Sequence, residues 1–148
     1  MRYNPLMTNL NPISLDHDWR YFPMEVMDEA YGASELDESS WGVLPDLADY
    51  PRDVIAFYGS LNLHHTFDLE PIEEICLRFH LHLTIAPAGT QVYINGWHVG
   101  TAQSGKPLLS DVTDFVTLEG NVLLLKLARK GDLRGLTLHP VPCEDQPL

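Results

Sequence analysis

Between residues 75 and 85, Ile75, Leu77, Phe79, Leu81, Leu83 and Ile85 alternate without a break with Cys76, Arg78, His80, His82 and Thr84. Successive side chains of an extended strand leave opposite faces, so this order puts one apolar face against a core and one polar face outward. A helix of period 3.6 would scatter the same residues around its circumference. The pattern recurs. Ile13, Leu15, Trp19 and Tyr21 oppose Ser14, Asp16, Asp18 and Arg20, and Leu61, Leu63, Phe67 and Leu69 oppose Asn62, His64, Thr66 and Asp68. These segments predict half-buried strands of antiparallel sheets.

The second half of the chain adds turns. Val92 to Ile94, Asn95-Gly96 and Trp97 to Val99 spell a strand, a turn that accepts positive φ at both central residues, and a returning strand. Asp111 to Asp114 reads as a turn into a short irregular piece, and Glu119-Gly120-Asn121 as the turn before a strand over 122–129. That strand is apolar on both faces, as a central strand covered on both sides would be. A last strand is expected near 134–141, carrying Leu136, Leu138 and Val141. Helical period never persists beyond about two turns, although Met24, Met27 and Tyr31 admit one short helix within 24–38. Short strands separated by turn chemistry predict an all-β fold, a jelly-roll β-sandwich of two antiparallel sheets. The expected organisation is an N-terminal extension over 1–12, the sandwich over 13–141 and a C-terminal tail over 142–148.

Composition supports a packed core, with 45% hydrophobic and 20% charged residues in 148. A chain of this length has no room for a catalytic barrel of roughly 250 residues. Acids outnumber bases 21 to 9, a net charge of −12 that repels phosphate backbones and anionic lipid, so neither nucleic acid nor membrane is an expected partner. The excess is local: between Arg20 and Arg52 lie Glu25, Asp28, Glu29, Glu35, Asp37, Glu38, Asp46 and Asp49 with no base. Such a run reads either as a solvated loop or as a surface for a cation or a basic partner. No signal-peptide pattern or membrane-length apolar run is visible. Cys76 and Cys143 are too few for a disulfide framework and lack metal-site spacing, so a reducing, cytoplasmic setting is expected.

Several motifs, taken in order, carry a resemblance. Leu15-Asp16-His17-Asp18-Trp19-Arg20-Tyr21, Asp37-Glu38-Ser39-Ser40-Trp41 with Leu44-Pro45, His64-His65-Thr66-Phe67, Leu77-Arg78-Phe79, Val92 to Gly96 with Val99-Gly100, Pro107 to Thr113, and Gly120-Asn121-Val122-Leu123 follow one another along the chain. In this order they resemble the sugar-binding-like N-terminal domain of glycoside hydrolase family 2 enzymes. The resemblance implies a galactose-binding-domain-like β-sandwich, in which Trp41 pins the acidic connection to the sandwich. His17 stands where the family has glycine, and His64 and His65 stand where it has arginines. The family's catalytic glutamates belong to a separate barrel, so the domain type implies no catalysis and no cofactor.

Residue chemistry gives the candidate sites. No Gly-x-Ser-x-Gly elbow, phosphate-binding glycine loop or His-Glu-x-x-His motif occurs, so no catalytic residue is assigned. A sugar site on a sandwich needs an exposed aromatic ring and neighbouring polar groups, and Trp97 with His98, Asn95 and Tyr93 is the best such set, with Tyr58 before Gly59 as a second. The competing reading is that Trp97 caps the core at the sheet edge. His80 and His82 share one strand face at a spacing that suits a metal, and His64 joins them if its strand is adjacent; otherwise they are an exposed polar face, and no metal is assigned. Two functions lead, ahead of an unrecognised hydrolase. One is a non-catalytic module that binds carbohydrate or assists a carbohydrate-active protein. The other is an interaction or structural module that dimerises or docks a partner.

Overall fold

The computed structural model describes residues 11–22, 42–69 and 76–143. Most of the acidic run, the helix admitted within 24–38 and Trp41 lie outside them. Ten strands are described: β1 Ile13–Ser14, β2 His17–Phe22, β3 Gly42–Asp46, β4 Leu61–Phe67, β5 Leu77–Ile85, β6 Gln91–Ile94, β7 Trp97–Thr101, β8 Leu108–Asp111, β9 Asn121–Leu127 and β10 Arg134–Pro142. A 3-10 turn at Leu47–Asp49 and a helix α1 at Arg52–Tyr58 fall between β3 and β4.

The strands form two antiparallel sheets, one ordered β1-β10-β5-β8 and the other β3-β2-β4-β9-β6-β7. The expected β-sandwich is thus observed. Its core is leucine-rich: Leu81, Leu83, Leu136 and Leu138 from the smaller sheet meet Leu61, Leu63, Leu123 and Leu125 from the larger. Each of these residues occupies the core-facing parity of its strand, which is why the period-two pattern was so clean.

One expected strand is two. Residues 13–21 divide between the sheets: β1 pairs with β10, and β2 pairs with β3 and β4. Asp18 takes a positive φ of 67°, and residues 15–16 cross from one sheet to the other. Asp16 secures the crossing, its carboxylate accepting from the Leu136 amide at 2.9 Å and the Gly135 amide at 3.3 Å. The Trp19 indole donates to the Leu15 carbonyl at 2.7 Å, which holds the two halves at their original parity.

Three further expectations need correction. β3, the 3-10 turn and α1 were not foreseen, though the end signals of α1 are in the sequence, with Pro51 at its start and Gly59 in the left-handed region at its end. Asn62 and His64 do not face solvent: both are buried, because β4 lies deep in the six-stranded sheet between β2 and β9. Finally, Cys76 and Cys143 form a disulfide that joins the start of β5 to the end of β10, with their Cα atoms 5.4 Å apart. Adjacent strand ends bring together two cysteines that sequence spacing did not connect, and the argument for a reducing setting loses its basis. β10 runs to Pro142, with Cys143 bonded just beyond it.

Candidate functional site

The β6–β7 hairpin carries most of the expected sugar-binding set and divides it. Ile94 pairs with Trp97 and Tyr93 with His98, so Trp97 leaves one face of the hairpin while Tyr93 and His98 leave the other. Trp97 is 61% exposed, and its ring leans on Phe115 with centroids 5.8 Å apart. It therefore presents an aromatic shelf at the edge of the six-stranded sheet. On the opposite face Tyr93 meets His98 edge-on at 5.2 Å, and His98 Nε2 lies 2.6 Å from Gln91 Oε1 and 3.1 Å from Thr101 Oγ1.

Asn95 belongs to the fold. At φ 50° it makes the turn, its amide donates to the Phe115 carbonyl at 2.7 Å and to Asn121 Oδ1 at 3.1 Å, and its Oδ1 accepts from the Val122 amide at 2.8 Å. Those bonds tie the hairpin to Phe115 and so set the shelf on which Trp97 rests. Tyr58 ends α1, well before the hairpin in sequence, and its side chain lies outside the described residues.

A second constellation lies on the outer face of the four-stranded sheet. Register places His139 opposite His80, Thr137 opposite His82, Asp111 opposite His80 and Leu109 opposite His82. The His82 and His139 rings stack at 3.9 Å. His80 Nε2 lies 3.7 Å from Asp111 Oδ2, and Arg78 holds the same carboxylate oxygen through Nε and Nη2, each at 2.8 Å. His64 does not join this group, since β4 belongs to the other sheet. His139 takes its place. Sequence reading missed it because the register of β10 on β5 is a long-range property, although the alternation of Thr137, His139 and Val141 was there to be read. Among the described residues no group of three or more histidine, cysteine or carboxylate side chains is arranged to hold a metal ion.

Charge on this face is tuned. Asp111 is drawn down to about 2, chiefly by the hydrogen bond from the Thr113 hydroxyl, with further help from the Thr113 amide and Arg78. His82 is pushed below the ordinary imidazole value, first by partial burial and then by repulsion from His139 and His80.

An open cleft of about 290 Å³ is lined by Asp18, Trp19, Arg20, Val43, His65 and Thr66 at the β2–β4 end of the larger sheet. His65 stacks on Trp19 at 5.0 Å, and its Nδ1 lies 3.1 Å from the Asp18 carbonyl, so this imidazole closes the core beneath the cleft.

No family model matches the sequence, and no curated protein does. Solved structures do match. A β-glycosidase from Bacteroides vulgatus aligns over 88% of this chain with a TM-score of 0.67 at 15% identity. A Bacteroides uniformis β-glucuronidase aligns over 89% with a TM-score of 0.70 at 19% identity. A glycosyl hydrolase family 2 member from Bacteroides cellulosilyticus aligns over 88% with a TM-score of 0.66 at 17% identity. The chain covers only 20%, 18% and 21% of those enzymes, about a fifth of their length. Identity this low bears on architecture alone. The chain has the fold of one β-sandwich domain of glycoside hydrolase family 2 enzymes.

Proposed function

We propose that this domain is a non-catalytic accessory module that meets carbohydrate, or a carbohydrate-active protein, through Trp97. The observation that carries the reading is the exposed indole propped on Phe115, in a sandwich shaped like a glycosidase domain. An exposed tryptophan face suits the apolar side of a pyranose ring, and burying it on a ligand removes apolar surface from water. With Asn95 committed to the turn and His98 on the other face, the shelf supplies stacking with few directed hydrogen bonds. It therefore favours loose selection of a sugar face over recognition of one epimer.

Catalysis fits poorly with the one carboxylate among the described residues whose acidity is clearly perturbed. A glycosidic general acid needs a raised pKa, and Asp111 is shifted the opposite way. The disulfide supports a setting outside the reducing cytoplasm.

A second reading rests on position. Trp97 opens β7, which lies at the edge of the larger sheet among the described residues, and an edge strand can accept another strand. That arrangement favours docking or dimerisation. Tryptophan fluorescence titrated with a panel of oligosaccharides, on the native chain and on Trp97→Ala, separates the two. A saturable change lost in Trp97→Ala is the expected result. No change across the panel, with a dimer mass in solution that Trp97→Ala abolishes, would establish the docking role instead.

A further inference from the structure

The outer face of the four-stranded sheet concentrates basic chemistry on a chain whose net charge is −12. Among the described residues, β5 contributes Arg78, His80 and His82, β10 contributes His139, and β8 contributes Asp111 as the opposing acid; β1 adds the neutral Ser14. Arg78 and Asp111 cancel in their 2.8 Å pair, so the sign of the face rests on its three imidazoles, the one side-chain type that changes charge around neutral pH. Each imidazole that takes up a proton adds one positive charge to this patch. The sign of this face is thus set by the medium.

We propose that this face is a proton-gated binding surface for a carboxylate-bearing polysaccharide, occupied in mildly acidic medium and vacant at neutral pH. Three features fit that ligand. The cationic groups sit on a flat sheet, with His139 and His80 one strand spacing apart, about 4.8 Å, and His82 a further two residues, roughly 6.7 Å, along β5. An extended polymer carrying regularly spaced carboxylates can meet such a row, whereas a compact ligand needs a concave pocket. Leu109, 64% exposed beside His82, gives a sugar ring an apolar step next to the charges.

The stack of His82 on His139 couples the charge of this face to its structure. Two imidazolium rings cannot remain at 3.9 Å without strong repulsion, so double protonation parts them, with His139 Nε2 starting 2.8 Å from Thr137 Oγ1. An incoming carboxylate relieves that repulsion and favours the doubly protonated pair. Partial burial and its imidazole neighbours hold His82 below the ordinary imidazole value, so its charge appears only in acidic medium. The overall negative charge does not prevent capture, because at physiological ionic strength charges more than about 8 Å away are largely screened.

This surface is separate from the Trp97 shelf, so the two proposals fail independently. The test is calorimetric titration with oligogalacturonate at pH 5.5 and pH 7.5 at equal ionic strength, with neutral dextran as control. The native chain should bind at least tenfold more tightly at pH 5.5. His82→Gln and His139→Gln should each lose most of that gain, Trp97→Ala should keep it, and dextran should not bind. Near-UV circular dichroism confirms that the variants are folded. Absence of binding at pH 5.5, equal affinity at both pH values, or retention of the acid gain in both histidine variants would overturn the proposal. So would equal acid-dependent binding of a polyglutamate peptide, which would make the surface a site for acidic polypeptides.

Discussion

Reducing the Cys76–Cys143 bond is the perturbation with the largest calculable effect. The bond closes a loop of 67 residues, nearly half the chain. In the chain-entropy picture, opening a loop of that size releases about 4 kcal/mol of denatured-state entropy at 25 °C. Native contacts change little on reduction: the β5–β10 ladder and the 2.9 Å bond from the Cys143 amide to the Cys76 carbonyl remain. The loss therefore falls on the unfolded side of the equilibrium. For a domain of this size each kcal/mol moves Tm by about 2–4 °C, so reduction should lower Tm by roughly 8–16 °C. Scanning calorimetry of the chain with and without a phosphine reductant reads this directly. Alkylation followed by mass measurement confirms the state of both thiols, and a Cys76→Ser, Cys143→Ser double variant should melt with the reduced protein. Two free thiols in protein purified without reductant would show that the strand ends are not bonded. An unchanged Tm after verified reduction would refute the reasoning about the loop.

Two other outcomes follow from named contacts. Asn95→Ala strands the Val122 amide and the Phe115 carbonyl and places alanine at φ 50°, so urea denaturation should show a loss of about 2–4 kcal/mol; Asn95→Gly, which relaxes only the φ, should recover the smaller part. For His82 the folded-state pKa lies below the unfolded value near 6.5, so the unfolded chain binds the extra proton and stability falls as pH drops through 6.5 toward the lowered value; chemical denaturation from pH 8 to 5 should show that decline, and His139→Gln should reduce it.

What was legible in the sequence divides along the range of the interaction that decides it. β4, β5, β6, β7, β9 and β10 were readable because the strand environment acts on every residue in turn, and Leu81 or Leu83 reports its own burial through its neighbours' polarity, as β9 reports cover on both sides through its unbroken leucines. The split of 13–21 was hidden because both halves keep one parity. Only the Asp16 carboxylate on the Leu136 amide, 120 residues away, and the Asp18 backbone reveal that the chain changes sheets there. α1 escaped because seven residues supply too few turns for a period to emerge, leaving only its end signals.

The candidate sites obeyed the same division, with a consequence for function. Alternation placed His80 and His82 on one face, yet the partner that completes the cluster is fixed by cross-strand register, which brings His139 to it and leaves the expected His64 on the other sheet. Proximity in sequence likewise grouped Tyr93, Asn95, Trp97 and His98, although a two-residue turn necessarily sends alternate residues of a hairpin to opposite faces. The same alternation that made the strands easy to find therefore divides any compact motif laid across them. On this sandwich a surface gathers its chemistry across strands, as Leu109, His82 and Thr137 do in one row and Asp111, His80 and His139 do in the next. A functional residue search in such a chain is best conducted along rows of register, where strands separated by dozens of residues bring their side chains within about 5 Å of one another.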